Sequence, residues 1–274
     1  MTMLAPRPVW LASALLALGA LGLAPWLAGC SAGPGLTEVP PEFQTASDET
    51  EVRKRARTRL MLATSYYENG QHVVALDEQK KALQADPNYA DAYNLGGLIY
   101  MALGDDAMAL SHFQRAIALN PRDASAMHNV GWLHCQAGRF ADAMPWFQRA
   151  VAVPTYRDRA RTLMTQGICQ ARAGQLEQAE ATLMRSYELD AGNPVTAFNL
   201  AQLLYRRGDQ TRAQFYIRRL NNSELANAES LWLGIKVERR LNNRQAMEQL
   251  AAQLRRRFPQ SRELLNYERG AFDE

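Results

Sequence analysis

The side chains best suited to chemistry are four histidines, His72, His112, His128 and His134, and three cysteines, Cys30, Cys135 and Cys169. A metal site needs such ligands at helix-turn or CxxC-type spacing, and a nucleophile needs a base held beside it. His128, His134 and Cys135 are close in sequence, but no CxxC, HExxH or glycine-rich phosphate loop accompanies them. The expectation is a chain that is not an enzyme and carries no cofactor and no metal. Cys135 and Cys169 become neighbours only if the elements bearing them stack side by side. Buried free thiols are the commoner outcome for such a pair, with a disulfide as the alternative in an oxidising compartment.

The elements that position these residues repeat. The stretch 90–121 reads ADAYNLGGLIYMALGDDAMALSHFQRAIALNP. Counted from Ala90, it places Gly97 at position 8, Tyr100 at 11, Gly104 at 15, Ala109 at 20, Phe113 at 24 and Pro121 at 32. That spacing resembles the tetratricopeptide repeat, a helix–turn–helix hairpin. Small residues at 8 and 20 permit close approach of two antiparallel helices, and Tyr100 and Phe113 fill the seam. Position 15 recurs as Gly70, Gly104, Gly138, Gly174, Gly208 and Asn242, spaced 34, 34, 36, 34 and 34 residues apart. Glycine and asparagine are the residues that tolerate the left-handed conformation ending a first helix. Six units follow: 56–89, 90–123, 124–159, 160–193, 194–227 and 228–261, with 262–274 as a capping helix and a frayed end. Leu264, Leu265 and Tyr267 are expected to pack inward there. The two-residue excess of the third unit lengthens the loop near 153–159, and Pro145 lies inside that unit's second helix. The expected fold is all-α, a right-handed solenoid superhelix of six repeats.

In that architecture first-helix positions 2, 5, 9, 12 and 13 line an inner groove. They supply Tyr67, Leu98, Met101, His128, Trp132, Ile168, Phe198, Tyr205, Trp232 and Arg239 as candidate partner-binding residues. Aromatic and methionine side chains on a groove suit peptide capture, since they offer large contact area; the alternative is packing against the next repeat. Position 5 contains no lysine, which removes the Lys/Asn/Arg clamp of chaperone-binding repeats. The formal charge is +3, too small to indicate a nucleic-acid partner. The charge is uneven, with 12 Arg plus Lys against five acids over 194–261. Those arginines serve either as solvated helix faces and C-terminal dipole partners or as a surface for an acidic partner.

The N-terminus reads differently. Residues 1–29 combine Arg7 with a long uncharged apolar run and read as a secretory signal. The run is also about long enough to span a bilayer as an uncleaved anchor. The ending Leu27-Ala28-Gly29-Cys30 resembles the lipobox of bacterial lipoproteins. That resemblance implies acylation of Cys30 as the first mature residue, with a thioether diacylglycerol and an N-acyl chain such as palmitate. Ser31, in place of an inner-membrane-retaining Asp, implies the outer membrane facing the periplasm. Residues 30–50 then form a lipidated tether rich in Pro, Gly, Ser and acids, and 51–274 form the repeat domain.

A lipobox, a short tether and six repeats together resemble the type IV pilus biogenesis lipoproteins of the PilW/PilF kind. The sixth unit carries the resemblance furthest, in Glu229-Ser230-Leu231-Trp232-Leu233-Gly234-Ile235 and Glu238-Arg239, with Arg257-Phe258-Pro259 and Arg269-Gly270-Ala271-Phe272 after it. It implies a pilotin that binds the secretin subunit and promotes its outer-membrane localisation and multimerisation. The alternative is another periplasm-facing repeat lipoprotein serving as an adaptor for envelope assembly.

Overall fold

The structure, a computed structural model, describes residues 49–272. The signal peptide, Cys30 and nearly all of the tether lie outside the described residues. Thirteen α-helices and no strand occur among the described residues, in the order α1 (Glu51–Glu68), α2 (His72–Ala85), α3 (Ala90–Ala102), α4 (Asp106–Leu119), α5 (Ala124–Gln136), α6 (Phe140–Ala152), α7 (Arg159–Arg172), α8 (Leu176–Leu189), α9 (Pro194–Arg206), α10 (Gln210–Asn221), α11 (Ala228–Arg240), α12 (Arg244–Arg257) and α13 (Arg262–Glu268). None of them is long and apolar enough to cross a membrane. Consecutive pairs pack as tetratricopeptide hairpins in a right-handed solenoid, α1 with α2 through α11 with α12. Each odd-numbered helix also touches the next odd-numbered helix, whereas the even-numbered ones do not meet one another. The odd set is therefore the inner, closely spaced layer.

Local chemistry explains the regularity. Each position-15 residue is left-handed; Gly104 has φ 80° and Asn242, the sole non-glycine with positive φ among the described residues, has φ 57°. The residue that follows often caps the second helix: Asp105 accepts from the Met108 N–H, Asp209 from Arg212 and Asn243 from Ala246. Position 34 does the same for the next first helix, through Asp123, Asn193, Asn227 and Ser261. Each such cap contributes about 1 kcal/mol. Pro87, Pro121 and Pro259 each stand just beyond the end of a second helix. Pro145 lies within α6, which continues to Ala152. The lengthened loop after it is tied down by Arg159, which donates to the carbonyls of Val153 and Pro154 at 3.1 and 2.6 Å.

The hairpin seams are close-packed. Ala75, Ala109, Ala143, Ala179 and Ala213, all at position 20, are fully buried. A Cβ added at Gly97 would collide with the Phe113 ring, and one at Gly131 would come within 2.8 Å of Phe147. Seams between repeats carry buried polar ties: Gln79 donates to the Ala92 carbonyl, and Asn221 to that of Ser230. The C-terminal cap departs from expectation in two ways. Leu264 is buried and Tyr267 half-buried, but Leu265 is 50% exposed. The end does not fray within the described residues. Gly270, at φ 69°, reverses the chain, Ala271 N–H reaches the Asn266 carbonyl, and Phe272 returns to stack on Trp232 at 5.3 Å. An aromatic ring gains more by covering another ring than by remaining in water.

Candidate peptide-binding groove

The inner layer carries the candidate residues on successive odd-numbered helices. Tyr67, Leu98, Met101, Trp132, Ile168, Phe198 and Tyr205 are half-buried. Leu98 and Met101 lean on the Phe113–Val130–Leu133 cluster, and Trp132 on the Cys135–Phe147–Cys169 cluster. Ile168, Phe198 and Tyr205 lean on the cluster around Leu200 and Leu204, and Tyr67 on that of Ala63 and Leu95. At these seven positions one edge supports the repeat stack and another remains accessible, so packing and presentation are compatible.

The remaining three differ. His128 is only 6% exposed; its Nδ1 bonds the Thr162 hydroxyl of the next repeat at 2.9 Å, and its ring meets Phe147 edge-on. Trp232 is 6% exposed because Phe272 covers it. Arg239 is exposed and holds its guanidinium 3.9 Å from the centre of the Phe272 ring. Phe272 is thus a groove residue that repeat periodicity alone does not reveal. The available signal is Gly270, a turn residue placed to send the chain back.

Burial, and after it the Arg161 charge, pushes the His128 imidazole down to about 4 from its ordinary 6.5. Between those values the unfolded chain binds a proton that the folded chain refuses, so stability falls as pH drops through that window. The loss should approach ~3 kcal/mol. Urea midpoints at pH 7 and pH 4.5 measure it, and His128→Gln should flatten the difference. An equal acid loss in that variant would assign the effect elsewhere.

The arginine-rich last third is mostly spent internally. Arg207 and Arg212 both grip Glu180 at 2.6 Å, and Arg218 holds the buried Glu238 at 2.6 Å together with Gln214. Arg244 pairs with Glu248, Arg255 with Glu268, and Arg257 donates to the Ala226 carbonyl. Most of these contacts tie one helix to another, a use beyond the solvated faces expected from the sequence. Arg206, in the last turn of α9 where the helix-terminus reading expects a cation, and Lys236 line a depression of about 280 Å³ with Gln202, Tyr205, Leu233, Arg240 and Phe272.

Cys135 and Cys169 are bonded to each other, contrary to the expectation of free thiols. Their Cα atoms lie 5.9 Å apart on α5 and α7, within bridging range. Stacking of one first helix on the next brings them together. No group of three His, Cys, Asp or Glu side chains placed to hold a metal occurs among the described residues.

Comparison with known proteins follows the same lines. The tetratricopeptide-repeat family model matches residues 88–155. The crystal structure of PilW, described as a widely conserved type IV pilus biogenesis factor, is 30% identical. It superposes with a TM-score of 0.71 over 80% of this chain and 99% of that one. The chain belongs to the PilW/PilF family of type IV pilus biogenesis proteins. The type IV pilus assembly protein PilF of Pseudomonas aeruginosa is 26% identical over 113 residues, 41% of this chain. That match spans 45% of PilF, under half of its length. A solved structure of Pseudomonas aeruginosa PilF, at 24% identity, shares the fold with a TM-score of 0.72 over 81% of this chain and all of that one. What the family provides is a repeat scaffold for protein contacts; no catalytic family is indicated.

Proposed function

We propose that this chain is an outer-membrane lipoprotein of type IV pilus biogenesis that acts as a pilotin. The observation that carries the reading is the likeness to PilW across the whole of that structure. Leu27-Ala28-Gly29-Cys30 supports the anchoring half of it. A lipid on Cys30 supplies the destination, and the groove from Tyr67 to Tyr205 holds a segment of the secretin subunit during transit. Several acyl chains anchor stably, each buried methylene contributing ~0.8 kcal/mol. The tether, about 70 Å long if fully extended at 3.3–3.6 Å per residue, lets the groove work at a distance from the bilayer. Joining two weak attachments through one tether raises the effective concentration of the second. The Cys135–Cys169 bond is consistent with a periplasmic location, since disulfides persist in oxidising compartments.

Deleting the gene should abolish surface pili and heat-stable secretin multimers in the outer membrane. Cys30→Ser should abolish acyl labelling and membrane recovery while leaving the protein folded. Normal pili and multimers in the deletion strain would remove the pilotin role. Persistent membrane association of Cys30→Ser would remove the lipid anchor.

A further inference from the structure

The groove of the last two repeats is already occupied. Phe272 stacks on Trp232 and lies under the Arg239 guanidinium, after a turn at Gly270 that serves to bring it back. Trp232 is the position-5 residue of its repeat, the place where a groove ligand would be met. Among the described residues, the charged side chains lining the depression beside this contact, Arg206, Lys236 and Arg240, are all cationic. Arg206 and Lys236 face the same depression, and Lys236 lies 5.5 Å from the Trp232 ring and 5.8 Å from that of Tyr205. Among the described residues no carboxylate pairs with Arg206, Lys236 or Arg239. This contrasts with Arg207, Arg212 and Arg218 close by, each of which has its acid. Burial, followed by the Arg206 charge, holds the Lys236 ammonium below its usual value, as expected of a cation lacking a counter-charge.

We infer that the α9–α11 groove binds a partner segment in which an aromatic side chain lies beside acidic ones, and that Phe272 is the resident stand-in which that segment displaces. The aromatic ring takes the place of Phe272 against Trp232 and Arg239, where ring stacking and cation–π attraction act together. The acids answer Arg206 and Lys236, whose attraction is strengthened by the partly dry setting. The chain's own segment has the same composition, Phe272 being followed in sequence by Asp273 and Glu274. Self-occupancy lowers the apparent affinity by the fraction of molecules in which the groove is open.

This inference rests on the reading that the groove holds a partner segment, but not on that partner being a secretin. The test uses the purified full chain in mild detergent and a fluorescein-labelled twelve-residue peptide with one Phe flanked by Asp and Glu. Fluorescence anisotropy should show saturable binding that weakens at least tenfold in 0.5 M salt or when the acids are replaced by Asn and Gln. Phe272→Ala should bind the peptide about tenfold more tightly than the unaltered chain. Arg206→Glu, on an exposed side chain outside the core, should weaken binding about tenfold. Thermal melts run in parallel establish that each variant is folded. Equal binding of the neutral peptide, or undiminished binding to Arg206→Glu, would overturn the acidic specificity. Weaker or unchanged binding to folded Phe272→Ala would make Phe272 a cap only and overturn the displacement. Loss of pili on gene deletion with no peptide binding would remove this groove chemistry alone.

Discussion

Phe113→Ala should lower the unfolding free energy by about 3–5 kcal/mol, the range for removing a large buried aromatic side chain. Phe113 is 0% exposed, and its ring fills the seam between α3 and α4 against Gly97. Across that seam stands a glycine, which has no side chain to move into the void, so the cavity should persist near full size. The reciprocal change is informative. Gly97→Ala places a methyl group inside the Phe113 ring's space, an overpacking cost of about 1–3 kcal/mol. Against this stands a gain of about 1 kcal/mol in helix propensity. Combined, the two substitutions should cost less than their sum, because the new methyl enters the space the ring has left. Urea denaturation of the unaltered chain, both single variants and the double variant gives the coupling. Strict additivity would show that Gly97 and Phe113 do not constrain each other.

How far the sequence alone leads depends on the range of the interaction. Gly104, Ala109 and Pro121 act within one hairpin, so their spacing reveals the hairpin, and repetition reveals the solenoid. The caps at positions 16 and 34 are equally local, and although the repeat spacing does not single them out, Asp105 and Asp123 stand where a capping side chain is preferred. Contacts between repeats leave no such periodic mark. His128 occupies a groove position by periodicity, yet the register of α5 against α7 turns it onto Thr162. Periodicity places Trp232 on an open groove, because its cover, Phe272, arrives by a chain reversal that no helical period encodes. The arginines divide in the same way. Their number in the last third is evident from composition, but which of them find Glu180 or Glu238 depends on neighbouring helices.

The Cys135–Cys169 bond should contribute about 2–4 kcal/mol to stability, and its reduction should remove that much. The two residues are 34 apart in sequence, and closing a loop of that length restricts the unfolded chain by ~4 kcal/mol in the chain-entropy account. Architecture makes the bond matter further. In a solenoid each repeat contacts only its neighbours, so cohesion depends on the interfaces between them. This bond crosses such an interface, between the third and fourth repeats, and both sulfurs belong to fully buried residues beside Phe147 and Trp132. Reduction should therefore weaken the junction on either side of the longer loop at 153–158. Cys135→Ser/Cys169→Ser should melt at a lower temperature than the unaltered chain and be indifferent to reductant. The unaltered chain should fall to a similar melting temperature once the bond is reduced. Limited proteolysis of the reduced chain should cut first within 153–158. A melting temperature unmoved by reduction would show that the stack holds the two halves together without the bond.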